Sequence, residues 1–118
     1  ILVGQATRDA AASGRAWLEI DRVKVKGKQQ AVTLFTPVPE AVAAASEFED
    51  EMRLWQLALN SHRLQHWAPA QQHLAELQSR FSDSPFAQLY RHFTERTEHY
   101  RRTPPPPHWD GTHTFDSK

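Results

Sequence analysis

From residue 48 onward apolar side chains return every three or four positions: Phe48, Met52, Trp55 and Leu59, flanked by Leu54, Leu57 and Ala58. That spacing is the period of an amphipathic helix and predicts one over residues 48–64. Glu49, Asp50 and Glu51 stand at its start and Arg63 near its end, which suits the two poles of a helix dipole. The acidic run over 47–51 is therefore read as a solvated helix start. A second helix is predicted from Pro69, which a first turn tolerates, to Phe81, with Ala70, Leu74 and Leu77 as its buried stripe. Ser82, Asp83, Ser84 and Pro85 supply a turn and N-cap for a third, which carries Phe86, Leu89, Tyr90 and Phe93 toward Arg101. In this phase Leu57, Ala58, Ala70, Leu74 and Leu77 fill the contact between the first two helices, and Phe86, Leu89 and Phe93 bring up the third. An apolar groove between the first and third helices, at Trp55 and Leu59, is the expected protein-interaction surface.

Ahead of residue 40 the pattern is different. Ile1, Leu2 and Val3 read as strand, residues 4–14 as a short Ala-rich helix stopped by Gly14, and residues 17–35 as two strands. The polar stretch 26–30, with Gly27, reads as the hairpin loop between them. Within the first arm Leu18 and Ile20 share one parity, whereas Val23 and Val25 share the other. Either a bulge near Asp21 and Arg22 or burial on both faces is needed to reconcile them. Arg22, Lys24, Lys26 and Lys28 fall on the parity opposite Val23 and form a basic face. Pro37 and Pro39 end the β region, since proline lacks the donor a ladder needs. After residue 103 four consecutive prolines predict polyproline II, and Trp109 and Phe115 in the tail predict docking, with disorder at Ser117 and Lys118.

The fold class read from this is α+β: N-terminal strands with a small helix, then a three-helix bundle and a Pro-rich tail. The expected divisions are 1–39, 40–103 and 104–118.

Composition narrows the function classes. The 118 residues contain no Cys, which removes disulfides, thiolate zinc sites and cysteine nucleophiles. Fourteen Lys and Arg against fourteen Asp and Glu leave no net charge, which argues against a nucleic-acid module. No apolar run approaches the roughly 20 residues that cross a bilayer. The apolar opening triplet without an initiator Met reads as the middle of a longer chain. His62 and His66 lie one helical turn apart, a spacing that suits zinc, but without the Glu of His-Glu-x-x-His or a clustered carboxylate they read as ordinary histidines. Asp9, Asp21 and Asp50 stand in unrelated contexts and form no metal-binding pair.

Residues 1–37 resemble a known family. Ile-Leu-Val-x-x-Ala-Thr, the small helix, and then Leu-Glu-x-Asp-Arg-Val-Lys-Val-Lys-Gly-Lys-x-x-x-Val-x-Leu-Phe are similar to the last segment of the class III adenylate/guanylate cyclase domain, most specifically over residues 21–28. Residues 48–109 resemble the helical tail that follows this domain in bacterial cyclases with an extracellular sensor and transmembrane helices. Those tails end in a Pro-rich stretch and Trp-Asp-Gly, as at 104–111 here. The resemblance implies a parent that makes a cyclic nucleotide from ATP or GTP with Mg²⁺ or Mn²⁺, as a homodimer, its cytoplasmic part attached to an inner membrane through other segments. It also implies that the metal-binding aspartates, the purine-selecting pair and the Asn/Arg pair precede Ile1, so that the fragment alone holds no catalytic residue and no metal. Lys26 matches the family's phosphate-contacting lysine, and its partners are the rest of the cyclase domain. The helical part also looks like a tetratricopeptide unit, with Leu54, Leu57, Ala58 and Ser61 on the first helix and Ala70, Leu74 and Leu77 on the second. Ser82 and Ala58 stand where that consensus has Pro and Gly. On this alternative the chain is a protein-interaction module.

Overall fold

The computed structural model describes residues 3–11, 16–25 and 30–115. The fold is α+β, and the chain forms two compact units: residues 1–45 with 112–118, and residues 46–111. This division differs from the one expected from composition. The first boundary falls after Ala45 instead of at the prolines, because Pro39 caps a further short helix. Of the described tail, residues 104–111 belong to the second unit and residues 112–115 to the first.

The first unit contains β1 (Val3–Gly4), α1 (Gln5–Ala11), β2 (Trp17–Val25), β3 (Val32–Pro37), α2 (Glu40–Ala43) and β4 (His113–Phe115). The four strands form one sheet in the order β1-β3-β2-β4, with β1 and β2 antiparallel to β3 and β4 parallel to β2. The parity conflict in the first arm is resolved by a bulge, one of the two alternatives left open. Glu19 pairs with Phe35 and Asp21 with Leu34, so Ile20 is an extra residue in β2. One inserted residue reverses the alternation, which lets Val23 share the face of the buried Leu18 and Ile20. Pro37 is the last paired residue of β3, opposite Trp17, a strand end that needs no further donor. The next amide, Val38 N–H, donates to Ala16 C=O at 2.9 Å, and the Val38 side chain is buried. On α1, the Arg8 guanidinium lies 4.4 Å from the centroid of the Phe35 ring and pairs with Asp9 at 2.9 Å. Residues 1–2, 12–15, 26–29 and 116–118 lie outside the described residues, and with them the opening of the expected first strand, the expected stop at Gly14 and the expected disorder at Ser117 and Lys118.

The second unit is built from α3 (Phe48–Arg63), α4 (Trp67–Arg80) and α5 (Ala87–Arg102). Each begins and ends within about two residues of the span its apolar period predicts, the usual uncertainty of a helix end. Only three residues join α3 to α4, and they form a Schellman turn. His66 N–H donates to Ser61 C=O at 2.8 Å and Gln65 N–H to His62 C=O at 3.0 Å, with Gln65 at φ 63°. Glycine usually takes this left-handed position. Here the Gln65 side chain offsets the steric cost by donating from Nε2 to the Pro106 carbonyl at 2.7 Å. So short a connection makes α3 and α4 antiparallel neighbours. The end of α4 accordingly meets the start of α3, where Arg80 lies 3.6 Å from Asp50 and 3.8 Å from Glu47.

The core of this unit is Trp55, Ala58 and Leu59 from α3, Ala70, Leu74 and Leu77 from α4, Phe81 after it, and Tyr90 and Phe93 from α5. Ala58 and Ala70 are essentially inaccessible and allow close approach of the helix backbones. Two expectations are corrected. Leu57 is 42% exposed and does not lie in the first interhelical contact, because at 100° per residue it stands roughly 200° around the helix from Trp55. Trp55 and Leu59 are each 1% exposed, so they form core and not an open groove.

Among the described residues no helix is long and apolar enough to cross a membrane.

The burial pattern predicts a contrast between two leucines. Leu74→Ala is expected to cost about 2–5 kcal/mol in urea unfolding, the range for truncating a buried leucine, whereas Leu57→Ala stays within about 0.5 kcal/mol. Equal effects would place the helical phase elsewhere.

Candidate functional site

Lys26, the residue matched to the family's phosphate contact, lies in the part of the hairpin loop outside the described residues, as does Lys28. The strand that leads to it is described as far as Val25, with Arg22 and Lys24 half-buried on the way. The three aspartates are each engaged locally. Asp9 pairs with Arg8, Asp21 Oδ1 accepts from Arg22 N–H at 2.9 Å, and Asp50 faces Arg53 and Arg80. Among the described residues no group of three or more His, Asp or Glu side chains is placed to hold a metal ion. His62 and His66 do not converge either, since His62 is buried and His66 exposed.

The polar chemistry that the second unit does concentrate lies along the seam between α3 and α5. Glu51 is buried at 6% exposure, contrary to its reading as part of a solvated run. Its Oε2 accepts from the Tyr90 hydroxyl and from Ser84 Oγ, both at 2.5 Å. Ser84 Oγ in turn accepts from Phe86 N–H at 3.0 Å, so one hydroxyl caps the turn before α5 and supports the carboxylate. Burial first, and then the hydrogen bond to Glu51, push the Tyr90 phenol well above its usual range. The sequence carried a signal for this site: Glu51 precedes Trp55 by four residues and Ala58 by seven, on the buried stripe.

Farther along, Trp55 packs edge-on to Phe93 at 5.0 Å and tilted to Tyr90 at 5.5 Å. At the end of the seam His62, 2% exposed, is hydrogen-bonded through Nδ1 to Thr97 Oγ1 at 2.9 Å. Four rings surround it edge-to-face: Phe93 and Trp109 at 5.4 Å, Trp67 at 5.6 Å and Tyr100 at 5.8 Å. Residue numbers rise together in these pairs, so α3 and α5 run parallel. Trp109 comes from the tail and lies 4.9 Å from Tyr100. A turn from Trp109 N–H to Pro106 C=O at 3.0 Å, together with the Gln65 bond to the same proline, sets its approach. Two residues on, Gly111 has φ 91° and lies where any Cβ would fall 2.3 Å from Cγ of Arg63. Glycine is required there on both counts. The tail's Trp-Asp-Gly is thus the closing element of the helical unit, as the docking expectation for Trp109 had it.

Glu98 joins α4 to α5 on the outside. It accepts from Gln71 Nε2 at 2.7 Å, from Arg101 at 2.7 and 2.8 Å, and from Arg102 at 2.8 Å. These bonds, Arg101's foremost, hold its carboxyl down to about 2.

What these groups do chemically is hold helices. Ser84 Oγ donates to Glu51 and accepts from Phe86 N–H, so both of its hydrogen-bonding roles are taken up within the unit. Comparison with protein-family models, with curated proteins and with solved structures finds no match for this chain.

Two outcomes follow from the seam and from Glu98. Tyr90→Phe keeps the ring on Trp55 but deprives a buried carboxylate of one donor, and is expected to cost about 1.5–3 kcal/mol by urea unfolding. A folded carboxyl pKa below the unfolded 4.5 contributes stability that is complete above 4.5 and is lost as pH falls toward about 2. Glu98→Gln should therefore flatten that part of the acid-unfolding profile and leave the profile near pH 7 to 8 parallel to wild type. An unchanged acid limb would remove Glu98 from the account.

Proposed function

We propose that this chain is the C-terminal end of a bacterial class III adenylate/guanylate cyclase, non-catalytic by itself, followed by the helical tail of such an enzyme. The observation that carries the reading is the agreement between motif and topology. The run from Asp21 through Lys28 begins on β2 and continues into the connection to β3, and β1, α1, β2 and β3 follow one another as strand, short helix and hairpin. In the parent, aspartates ahead of Ile1 would hold Mg²⁺ or Mn²⁺. Such ions would supply positive charge at the phosphates, for a reaction in which the ribose 3′-hydroxyl displaces pyrophosphate from the α-phosphate. Lys26 would set its ammonium against the phosphates and stabilise the charge that develops on them. The parent would work as a homodimer on ATP or GTP, on the cytoplasmic side of a membrane to which other segments attach it.

A second reading is supported by the helical unit. An antiparallel helix pair closed on Ala58 and Ala70, with a third helix parallel to the first, is the packing a tetratricopeptide-like interaction module uses. Because Trp55 and Leu59 are core, such a module would present other residues to its partner.

Residues 1–118 are expected to make no cyclic nucleotide from ATP or GTP with either metal, and turnover above a buffer control would overturn the non-catalytic reading. In the parent, Lys26→Ala should lower kcat/KM by roughly 5- to 150-fold, equivalent to about 1–3 kcal/mol. Unchanged kinetics would return Lys26 to solvent. An upstream sequence without paired aspartates would favour the interaction module.

A further inference from the structure

We infer that residues 101–107 form a docking ligand for a protein domain whose groove is lined with aromatic side chains and rimmed with carboxylates. All of these residues lie within the helical unit, and none belongs to the cyclase motif.

Four consecutive prolines leave a backbone little freedom. Each ring locks φ at about −65°, and a residue that precedes proline is kept out of the helical region, so Pro104, Pro105 and Pro106 are confined to polyproline II. Residues 104–106 accordingly belong to no helix or strand. Polyproline II turns once in about three residues and so has three edges. Pro104 and Pro107 share one edge, Thr103 and Pro106 the next, and Pro105 occupies the third. Thr103, Pro104, Pro106 and Pro107 are exposed, whereas Pro105 is half-buried. The rod thus shows two adjoining edges to solvent and keeps back the third. It is also fastened at both ends. Thr103 N–H donates to His99 C=O at 2.9 Å, and Pro106 C=O accepts from Gln65 Nε2 at 2.7 Å and from Trp109 N–H at 3.0 Å. A ligand already held in its bound conformation loses little entropy on binding.

The outward edges define the partner. Proline rings are stiff and apolar and pack on aromatic faces, while their backbone offers carbonyl acceptors and no N–H donors. The groove that fits them supplies aromatic rings together with donors such as an indole N–H. Arg101 precedes Pro104 by the same three residues that separate Pro104 from Pro107. The Arg101 and Arg102 side chains are 47% and 73% exposed and share the single Glu98 carboxylate, which leaves a positive surplus at the head of the rod. Carboxylates at one end of the groove match that surplus and set the direction in which the rod lies.

Titration of the whole 118-residue chain into an isotopically labelled SH3 domain, a domain type with such a groove and rim, tests this by NMR. Saturable shifts centred on the indole N–H of the groove are expected. Pro104→Ala and Pro107→Ala each remove a ring from an outward edge and should weaken binding by about tenfold or more. Pro105→Ala leaves both outward edges in place and should stay within about threefold. All three variants should keep the helical circular dichroism signal of the parent chain; should Pro107→Ala disturb the turn at 106–109, Pro104→Ala decides alone. No binding by the SH3 domain, binding that survives both Pro104→Ala and Pro107→Ala, or a loss at Pro105 as large as at Pro104 would overturn the inference.

Discussion

A carboxylate taken out of water must take its hydrogen bonds with it, and Glu51 places that demand at the start of the first long helix. The donors that meet it, the Tyr90 hydroxyl and Ser84 Oγ, come from the third helix and from the turn that introduces it. Meeting them fixes where α5 begins, which way it runs and which face it turns toward α3. Trp55 then meets Tyr90 and Phe93, His62 meets Thr97, and Trp67 and Tyr100 are brought to one end. The same carboxylate would be costly if either donor moved away, so the seam specifies one alignment of α3 and α5 and disfavours a slip by a turn.

The far end of the seam is finished by the tail. His62 lies between aromatic rings from α4, α5 and residue 109, and without Trp109 one side of that cluster would face water. This explains why a segment with four prolines is an ordered part of the unit. Its turn at 106–109 aims one indole, and Gly111 lets the chain pass over Arg63. A helical unit of 66 residues has little apolar area to spare, and closing both ends of its core is how it remains folded.

The three helices were legible because their apolar positions recur with the helical period, whereas the parity disagreement in the first arm left a bulge as one of two readings until the pairing of Glu19 and Asp21 decided it. Other features depend on partners distant in the chain. Glu51 looked like surface since it sits among Glu47, Glu49 and Asp50, and only the phase it shares with Trp55 sets it apart. Leu57 looked like core since it is leucine, although its angle around the helix puts it outside. Trp55 reads as groove-lining from its own helix alone, because nothing in the local pattern says that Tyr90 and Phe93 pack against it. The turn at Gln65 carries no glycine, and the bond to Pro106 that supports it spans 41 residues. β4 has only three residues and pairs with a strand some ninety positions earlier, beyond the reach of any local periodicity. For the candidate site, the motif at residues 21–28 carries the family resemblance, while the polar seam that organises the helices had no motif at all.

The account depends most on the tail being structural to the helical unit. Urea unfolding of the full chain against a chain ending at Thr103, followed by far-ultraviolet circular dichroism, measures this directly. Loss of a packed indole and of the turn that holds it should lower stability by about 2 kcal/mol or more, with the helical transition shifted to lower urea at an unchanged slope. A truncated chain whose helices unfold at the same urea concentration as the full chain would contradict the account.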